Sequence, residues 1–190
     1  MNKCNAGNIF NNSDYNSSDG MLTSVWGPSL WHSLHIISFN YPVHPTKEQK
    51  KQYFDFFISL KDILPCKYCR INYKKNIKSV KLNMAVMKNR NTLSKWLYKL
   101  HEEINTMLGK KSNLTYDDVR ERYEMFRARC ITEKGKTKKR QVKVKPKREK
   151  GCVKPLYGVK SKCVISIVPK KTKCKTFKVD KKCVLKRNSQ

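Results

Sequence analysis

Residues 92–108 read Thr-Leu-Ser-Lys-Trp-Leu-Tyr-Lys-Leu-His-Glu-Glu-Ile-Asn-Thr-Met-Leu. Their apolar side chains recur three or four positions apart, which is the spacing of one face of an α-helix. The apolar positions are Leu93, Trp96, Leu97, Leu100, Ile104 and Leu108. Gly109 follows as a natural helix stop. The stretch therefore predicts an amphipathic helix that packs against other helices.

Four further segments have the same periodicity and are predicted as helices: about 28–40, 46–62, 66–77 and 115–128. Pro28 is predicted to open the first of them, where its missing N–H costs nothing. Thr46 and Gln49 form a capping-box pattern at the start of the second. No stretch between residues 26 and 130 predicts a strand. The expected fold is all-α, a four-helix bundle with an additional short fifth helix.

The two ends of the chain differ from this middle part in composition. Residues 1–20 are rich in Asn, Ser, Asp and Gly, which predicts a disordered N-terminus. Residues 131–190 carry 22 Lys/Arg against 3 Asp/Glu, which predicts a basic, mostly unfolded tail, although Val164 to Val168 alternates well enough for a strand on some partner. The predicted domain is therefore 21–130.

Neither a membrane span nor a signal peptide is indicated, because the chain has no run of 18 apolar residues and its first residues are polar. Without secretion, the eight cysteines are expected to be reduced thiols. Any disulfide is then expected to be catalytic and not structural.

The central chemical motif is Leu64-Pro65-Cys66-Lys67-Tyr68-Cys69-Arg70. Two cysteines three apart in a first helical turn have Cα atoms roughly 5 Å apart, within the span of a disulfide. The helix dipole and the neighbouring Lys67 and Arg70 should favour the Cys66 thiolate. The motif predicts thiol–disulfide exchange. The alternatives are two packed thiols or half of a zinc site, completed by His32 and His35.

A second group of residues combines aromatic and polar side chains on two helices. Trp31 and His35 are four apart, as are His101 and Asn105, and Lys110 follows the second pair. Singly, each histidine is better explained as a core or boundary residue. Together they supply what a flat, phosphate-bearing cofactor requires: aromatic walls, hydrogen-bond donors and a cation.

At these residues the chain resembles the Erv/ALR family of FAD-linked sulfhydryl oxidases. Three motifs carry the resemblance, in order: Trp26-Gly27-Pro28-Ser29-Leu30-Trp31-His32-Ser33-Leu34-His35 with Tyr41-Pro42; Pro65-Cys66-Lys67-Tyr68-Cys69-Arg70; and Trp96-Leu97-Tyr98-Lys99-Leu100-His101-Glu102-Glu103-Ile104-Asn105 with Leu108-Gly109-Lys110.

The resemblance implies a helical bundle that holds FAD beside the two cysteines, usually as a homodimer. It implies that Cys66 exchanges with protein dithiol substrates and that Cys69 reduces the flavin. Oxygen would be the oxidant and hydrogen peroxide the product. The residues it implies around the cofactor are Trp31, His35, Tyr41, His101, Asn105, Lys110 and Tyr123.

The sequence departs from the family pattern at two places. Glu102 stands where the family commonly has Asn, which should weaken a cofactor contact. Tyr116 stands where many members have a cysteine, which leaves Cys130 without that family partner. Members usually own a second cysteine pair that relays electrons. The candidates for it here are Cys4, Cys130, Cys152, Cys163, Cys174 and Cys183, or these are incidental thiols.

The polar N-terminus and the Lys/Asn/Ile-rich composition resemble the oxidases of large cytoplasmic DNA viruses. That implies an enzyme of the host cytoplasm or the virion, acting on virion proteins. The competing hypothesis is a zinc-containing protein that binds nucleic acid without sequence preference through its basic tail. The two hypotheses do not exclude each other, since the basic tail could tether an oxidase to nucleic acid or to acidic proteins.

Overall fold

The chain divides into two units, Met1–Ser112 and Asn113–Gln190. The computed structural model describes residues 11–131, 151–169, 171–172, 180 and 183. The first unit contains five α-helices: α1 (Asn12–Asn16), α2 (Thr23–Phe39), α3 (Lys47–Ile63), α4 (Lys67–Ser79) and α5 (Arg90–Met107). A short 3₁₀ turn at Val86–Lys88 precedes α5. Helix α2 packs against α5 and helix α3 against α4, so α2–α5 form the predicted bundle.

The bundle core is built from large aliphatic and aromatic side chains, as the periodicity of the four helices predicts. Phe57 of α3 meets Trp96 of α5 edge to face, with ring centroids 5.3 Å apart. Two buried tyrosines keep their hydroxyls hydrogen-bonded: Tyr73 donates to the Phe57 carbonyl at 2.8 Å and Tyr41 to the Met87 carbonyl at 2.9 Å. Both buried hydroxyls are thereby hydrogen-bonded within the protein.

Helix starts follow local side-chain chemistry. The predicted capping box of Thr46 and Gln49 is confirmed, and Asn89 forms a second one with Thr92 at the start of α5. The predicted role of Pro28 as a helix opener is wrong. Helix α2 begins at Thr23, so Pro28 lies inside it. The residues before the proline continue the helix because Pro28 removes only one intrahelical hydrogen bond.

The N-terminal segment also differs from the prediction of disorder where it is described. Helix α1 is capped by the Asn11 side chain, which accepts from the Asp14 N–H. Ser18–Met21, called the strap below, then runs antiparallel to Pro65–Lys67 with a bridge between Gly20 and Cys66. Composition missed this because the strap is held by backbone hydrogen bonds and not by apolar side chains. Residues 1–10 lie outside the described part.

The second unit contains α6 (Tyr116–Glu124) and an antiparallel pair of strands, β1 (Ala128–Ile131) and β2 (Gly151–Pro155). Helix α6 is the predicted fifth helix, and it ends four residues early because residues 128–131 form β1. The expectation of no strand before residue 130 is therefore wrong: β1 pairs with residues some 20 positions on, which local periodicity does not detect.

The predicted tail is described only in part. Strand β2 lies within it, whereas Val164 to Val168 forms no strand in the described part and is exposed. The predicted division at residues 20/21 and 130/131 stays a prediction. No helix among the described residues is both long and apolar enough to span a membrane.

Candidate active site

The Cys66–Cys69 pair forms a disulfide at the start of α4, with the two Cα atoms 5.1 Å apart. Cys66 is the N-cap of the helix, in an extended conformation, and its Sγ accepts the Cys69 N–H at 3.2 Å. Both residues are half-buried. A sulfur at this position faces the partial positive charge of the helix N-terminus, which stabilises a thiolate. The predicted Cα separation of a disulfide at a helix start is confirmed.

The two cations of the motif are placed differently from the sequence-based expectation. The Lys67 ammonium lies 3.8 Å from the Asp19 carboxylate, with both side chains more than half exposed. The Arg70 guanidinium donates to the carbonyls of Leu64 at 2.7 Å and Ser18 at 3.2 Å. The Asp19 carboxylate thus partly offsets the Lys67 charge, and the Arg70 guanidinium is hydrogen-bonded to backbone carbonyls. The helix N-terminus is therefore the main local source of thiolate stabilisation at Cys66.

The strap covers the backbone before the disulfide. The Met21 N–H donates to the Pro65 carbonyl at 2.7 Å, and the Lys67 N–H donates to the Asp19 carbonyl at 2.8 Å. Between them Gly20 has φ +112°, and a Cβ there would lie 2.7 Å from the Cys66 Cα. Only glycine combines this backbone conformation with so close an approach.

The histidines of α2 and α5 come together as the second predicted group. His35 Nε2 and His101 Nδ1 are 3.0 Å apart, and the Trp31 ring stacks on His101 with centroids 3.9 Å apart. Burial, followed by the charge of His101, lowers the pKa of His35 to about 3. Burial lowers the pKa of His101 to about 4, with Glu102 opposing and Lys110 adding to the shift. Both rings are neutral at pH 7, so one donates to the other.

The remaining predicted cofactor residues have distinct environments. Asn105 is half-buried and its side-chain NH₂ donates to the Glu102 carboxylate at 2.9 Å. Glu102 therefore engages the amide group that was expected to contact a cofactor. Lys110 is exposed and close enough to act on the charge of His101. Tyr41 is fully buried, with its hydroxyl bonded to Met87 as described above.

Tyr123 belongs to the second unit, where its ring meets Phe126 edge to face at 5.9 Å. Burial raises the pKa of the Tyr123 hydroxyl to about 12. The assignment of all seven residues to a cofactor stays a prediction.

The zinc alternative has no support in this geometry. Cys66 and Cys69 are bonded to each other, and His35 is paired with His101. In the described ranges, no three His, Cys, Asp or Glu side chains cluster as metal ligands would.

Two buried hydrogen-bond donors without partners indicate that the bundle fits a bound group that supplies hydrogen-bond acceptors. Asn76 Nδ2 and Trp96 Nε1 are buried and have no hydrogen-bond partner among the described residues. A buried donor without an acceptor costs about 1–3 kcal/mol. Asn76 lies two helical turns after Cys69, on the same face of α4. Flavin carbonyls and ring nitrogens are acceptors, so the donor chemistry, the stacked Trp31 ring and the nearby Lys110 fit FAD.

The relay candidates are partly described. Cys163 and Cys183 are free thiols, the first of them exposed, whereas Cys152 is disulfide-bonded. Cys4, Cys174 and the side chain of Cys130 lie outside the described residues.

Sequence reasoning missed two features of the site. The Thr23 hydroxyl lies 3.6 Å from Cys69 Sγ, and the strap pairs with the backbone of Cys66. The distance between these partners along the chain leaves no periodic signal. Gly20, a glycine shortly before a predicted helix, was the only available indication.

Similar solved structures and curated relatives agree with this geometry. The FAD-binding domain of Erv1 from Saccharomyces cerevisiae matches with a TM-score of 0.50 and 26% sequence identity, over 54% of this chain and 94% of that domain. A protein of Acanthamoeba polyphaga mimivirus named "Probable FAD-linked sulfhydryl oxidase" is 38% identical over 104 residues, which cover 55% of this chain and 72% of the relative.

The mitochondrial FAD-linked sulfhydryl oxidase of Saccharomyces cerevisiae is 31% identical over 84 residues, which cover 44% of this chain and 43% of that protein. The chain thus spans less than half of this longer relative. The sequence model of the Erv1 / Alr family matches residues 28–124, which include the cysteine pair, the histidine pair and Trp31. The chain belongs to the Erv1 / Alr family.

Proposed function

We propose that this protein is an FAD-dependent sulfhydryl oxidase that forms disulfide bonds in substrate proteins. The observation that carries the proposal is the half-buried Cys66–Cys69 disulfide at a helix N-terminus, inside the bundle of a family whose matched relatives are named FAD-linked sulfhydryl oxidases. A disulfide that is partly accessible, and whose thiolate form is stabilised, exchanges readily with dithiols.

Cys66 is proposed as the sulfur that substrates attack. The helix N-terminus stabilises its thiolate, which forms when the substrate leaves as a disulfide. The electron pair of the broken Cys66–Cys69 bond remains on Cys69. When bound, FAD accepts two electrons from the reduced pair and delivers them to oxygen, giving hydrogen peroxide.

Trp31, His35, His101 and Asn105 are proposed to hold the cofactor, with Lys110 facing its phosphates. Because both histidines are neutral at pH 7 and the Trp31 and His101 rings are parallel to within 4°, these rings form an uncharged aromatic surface, which suits a planar ring. Asn105, held by Glu102, offers its remaining amide atoms. Tyr41 and Tyr123 belong to the proposed set through the family resemblance alone.

The partners and the location belong to the same proposal. Protein dithiols and oxygen are the proposed substrates, and the homodimer rests on the family resemblance alone. Virion proteins are proposed as substrates because several matched relatives are viral, from mimivirus and from invertebrate iridescent viruses. The site of action would be the host cytoplasm or the virion.

The basic tail is proposed to contact nucleic acid or acidic proteins. Residues 131–190 carry a net charge of +19, enough for salt-dependent binding to phosphates. Retention on immobilised DNA that falls steeply with salt, and that is lost when residues 132–190 are removed, would support this contact. Retention that survives the deletion would contradict it.

The visible absorbance spectrum and oxygen uptake with a dithiol test the main proposal. A yellow protein with a flavin band, whose dithiol-dependent oxygen uptake is lost in Cys69→Ala and kept in Ser33→Ala, supports it. Ser33 is the control because it is exposed and its hydroxyl donates to the Ser29 carbonyl of its own helix. A colourless protein that fails to bind added FAD would overturn the proposal.

A further inference from the structure

The two sulfurs of the redox disulfide have different hydrogen-bond donors. Cys66 Sγ accepts the Cys69 N–H from the first turn of α4. Cys69 Sγ lies 3.6 Å from the Thr23 Oγ1. A disulfide sulfur carries no hydrogen, so the Thr23 hydroxyl is the donor of this contact. Among the described residues, the Thr23 side chain makes no other hydrogen bond.

We propose that Thr23 is a further catalytic residue of the sulfhydryl oxidase, whose hydroxyl stabilises the Cys69 thiolate formed when the disulfide opens. The proposal rests on the function proposed above and adds to it a residue that touches a reacting atom.

Thr23 is free to serve this purpose. It is the first residue of α2, whose N-cap is Leu22, and no side chain caps that helix. The Thr23 hydroxyl is therefore not engaged by the helix start, unlike the Thr46 and Thr115 hydroxyls, which cap α3 and α6. The residue is exposed, so burial of its methyl group in the core does not account for its position.

The strap holds Thr23 over Cys69. Its last residue, Met21, is bonded through its N–H to Pro65 and through its carbonyl to the Trp26 indole N–H at 3.1 Å. Arg70, directly after Cys69, reaches back to the Ser18 carbonyl at the other end of the strap. These contacts tie the start of α2 to the start of α4 and fix the distance between hydroxyl and sulfur.

A substrate thiolate attacks Cys66 Sγ, a bond forms between these two sulfurs, and the Cys66–Cys69 bond breaks. Its electron pair leaves on Cys69 as a thiolate, which accepts the Thr23 hydrogen bond, and no proton is transferred. A leaving thiol with a lower pKa leaves faster, so a donor at Cys69 accelerates this step. Cys66, with its own donor from the backbone, does not need Thr23.

Thr23→Val tests the proposal because it removes the hydroxyl and keeps the side-chain shape. Thr23→Ser restores the hydroxyl, and Ser33→Ala is the control. Ser33 lies on the same helix, is exposed, and donates to the Ser29 carbonyl of its own helix. The variants are made in the full chain with Cys66→Ala, so that Cys69 is a free thiol. Site-specific alkylation by iodoacetamide is followed by peptide mass spectrometry across a pH series.

Thr23→Val should raise the pKa of Cys69 by about 0.5–1 unit, the shift expected when a thiolate loses one partly exposed hydrogen bond. In chains that retain Cys66, dithiol reduction of the disulfide should slow about 2–3-fold. Thr23→Ser should reverse both effects and Ser33→Ala should cause neither. An unchanged pH profile in Thr23→Val, or a shift that Thr23→Ser fails to reverse, would overturn the proposal.

The outcome is separable from that of the proposed function. Thiol titration of Cys69 needs no flavin, so a chain that lacks FAD or oxygen uptake would refute the oxidase without affecting this measurement. An active, yellow oxidase in which Thr23→Val leaves the pKa of Cys69 unchanged would refute only the role of Thr23.

Discussion

The disulfide end of the bundle and its histidine pair differ in solvent access and polarity. Cys66 and Cys69 are half-buried at a helix start, and their surroundings are backbone amides, carbonyls and exposed charges. His35 is buried and His101 half-buried between α2 and α5, where desolvation keeps both rings neutral. Thiol exchange requires access to a partner protein, whereas a bound planar ring requires a dry, uncharged wall. One small bundle offers both because the chemistry at its helix ends is independent of the packing along its faces.

The largest expected effect separates these two regions by function. Cys69→Ala should reduce dithiol-dependent oxygen uptake by about 1,000-fold or more, the scale on which loss of a covalent catalytic group acts. FAD binding should be unchanged, since the histidine pair is intact. Oxygen-electrode assays and the flavin spectrum of the same sample measure both. Loss of flavin together with activity would show that the two regions are not separable.

A substitution beside the histidine pair should weaken FAD binding and leave the chemistry of the cysteine pair unchanged. Trp31→Ala removes the ring that stacks on His101 and should weaken FAD binding about 10-fold, within the range of a lost aromatic stack. The thiol titration of Cys69 should be unchanged. Fluorescence titration of the apoprotein with FAD measures the affinity, and Trp31→Phe should retain most of it. Unaltered affinity in Trp31→Ala would remove Trp31 from the proposed cofactor wall.

The strap supplies a structural test of the disulfide end. Gly20→Ala should cost about 1–3 kcal/mol of folding stability, because its Cβ would lie 2.6 Å from the Pro65 carbonyl oxygen at φ +112°. Gly109→Ala is the matched control, since Gly109 also has a positive φ but open space around its Cβ position. Urea unfolding compares the two. Equal costs would mean that the strap is not closely packed on Cys66.

The last expected effect is gradual and concerns the histidine pair and pH. Both histidines have folded-state pKa values below the usual 6.5, so the unfolded chain binds more protons than the folded chain below pH 6.5. Their contribution to stability is complete above pH 6.5 and is lost as the pH falls toward 3, by up to about 1.4 kcal/mol per pH unit and histidine.

His35→Gln should therefore flatten the decline of stability between pH 6.5 and 4, whereas the same change at the exposed His44 should not. Urea unfolding at each pH measures the slope. Identical slopes in wild type and His35→Gln would contradict a buried, neutral pair.

The helices could be predicted from sequence because their signals are local. The apolar spacing around Trp96 and the capping box at Thr46 each lie within one helix, and both were confirmed. The strap, β1 and the contact of Thr23 with Cys69 were missed because each depends on residues about 20 or more positions apart. Pro28 misled the prediction since its preference for helix starts is only statistical: a proline removes a single intrahelical hydrogen bond, and α2 begins before it, at Thr23.

For the site, the cysteine pair was predictable from its i, i+3 spacing, and the Trp31–His35 and His101–Asn105 pairs from their i, i+4 spacings on two helices. Their surroundings were not. Arg70 was expected to act on a thiolate and instead donates to two carbonyls, because the fold brings the Leu64 and Ser18 carbonyls within hydrogen-bond distance of its guanidinium, which presents several N–H donors.

The most direct test of the central claim is an anaerobic titration of the flavin absorbance with a dithiol, in wild type and in Cys66→Ala. In the wild type, about one to two dithiols per flavin should bleach the band, because the disulfide and FAD each accept two electrons; oxygen should restore the band, and the Cys66→Ala flavin should not be bleached on the same timescale. Equal bleaching in both chains would show that electrons reach the flavin without the Cys66–Cys69 disulfide, which would contradict the account.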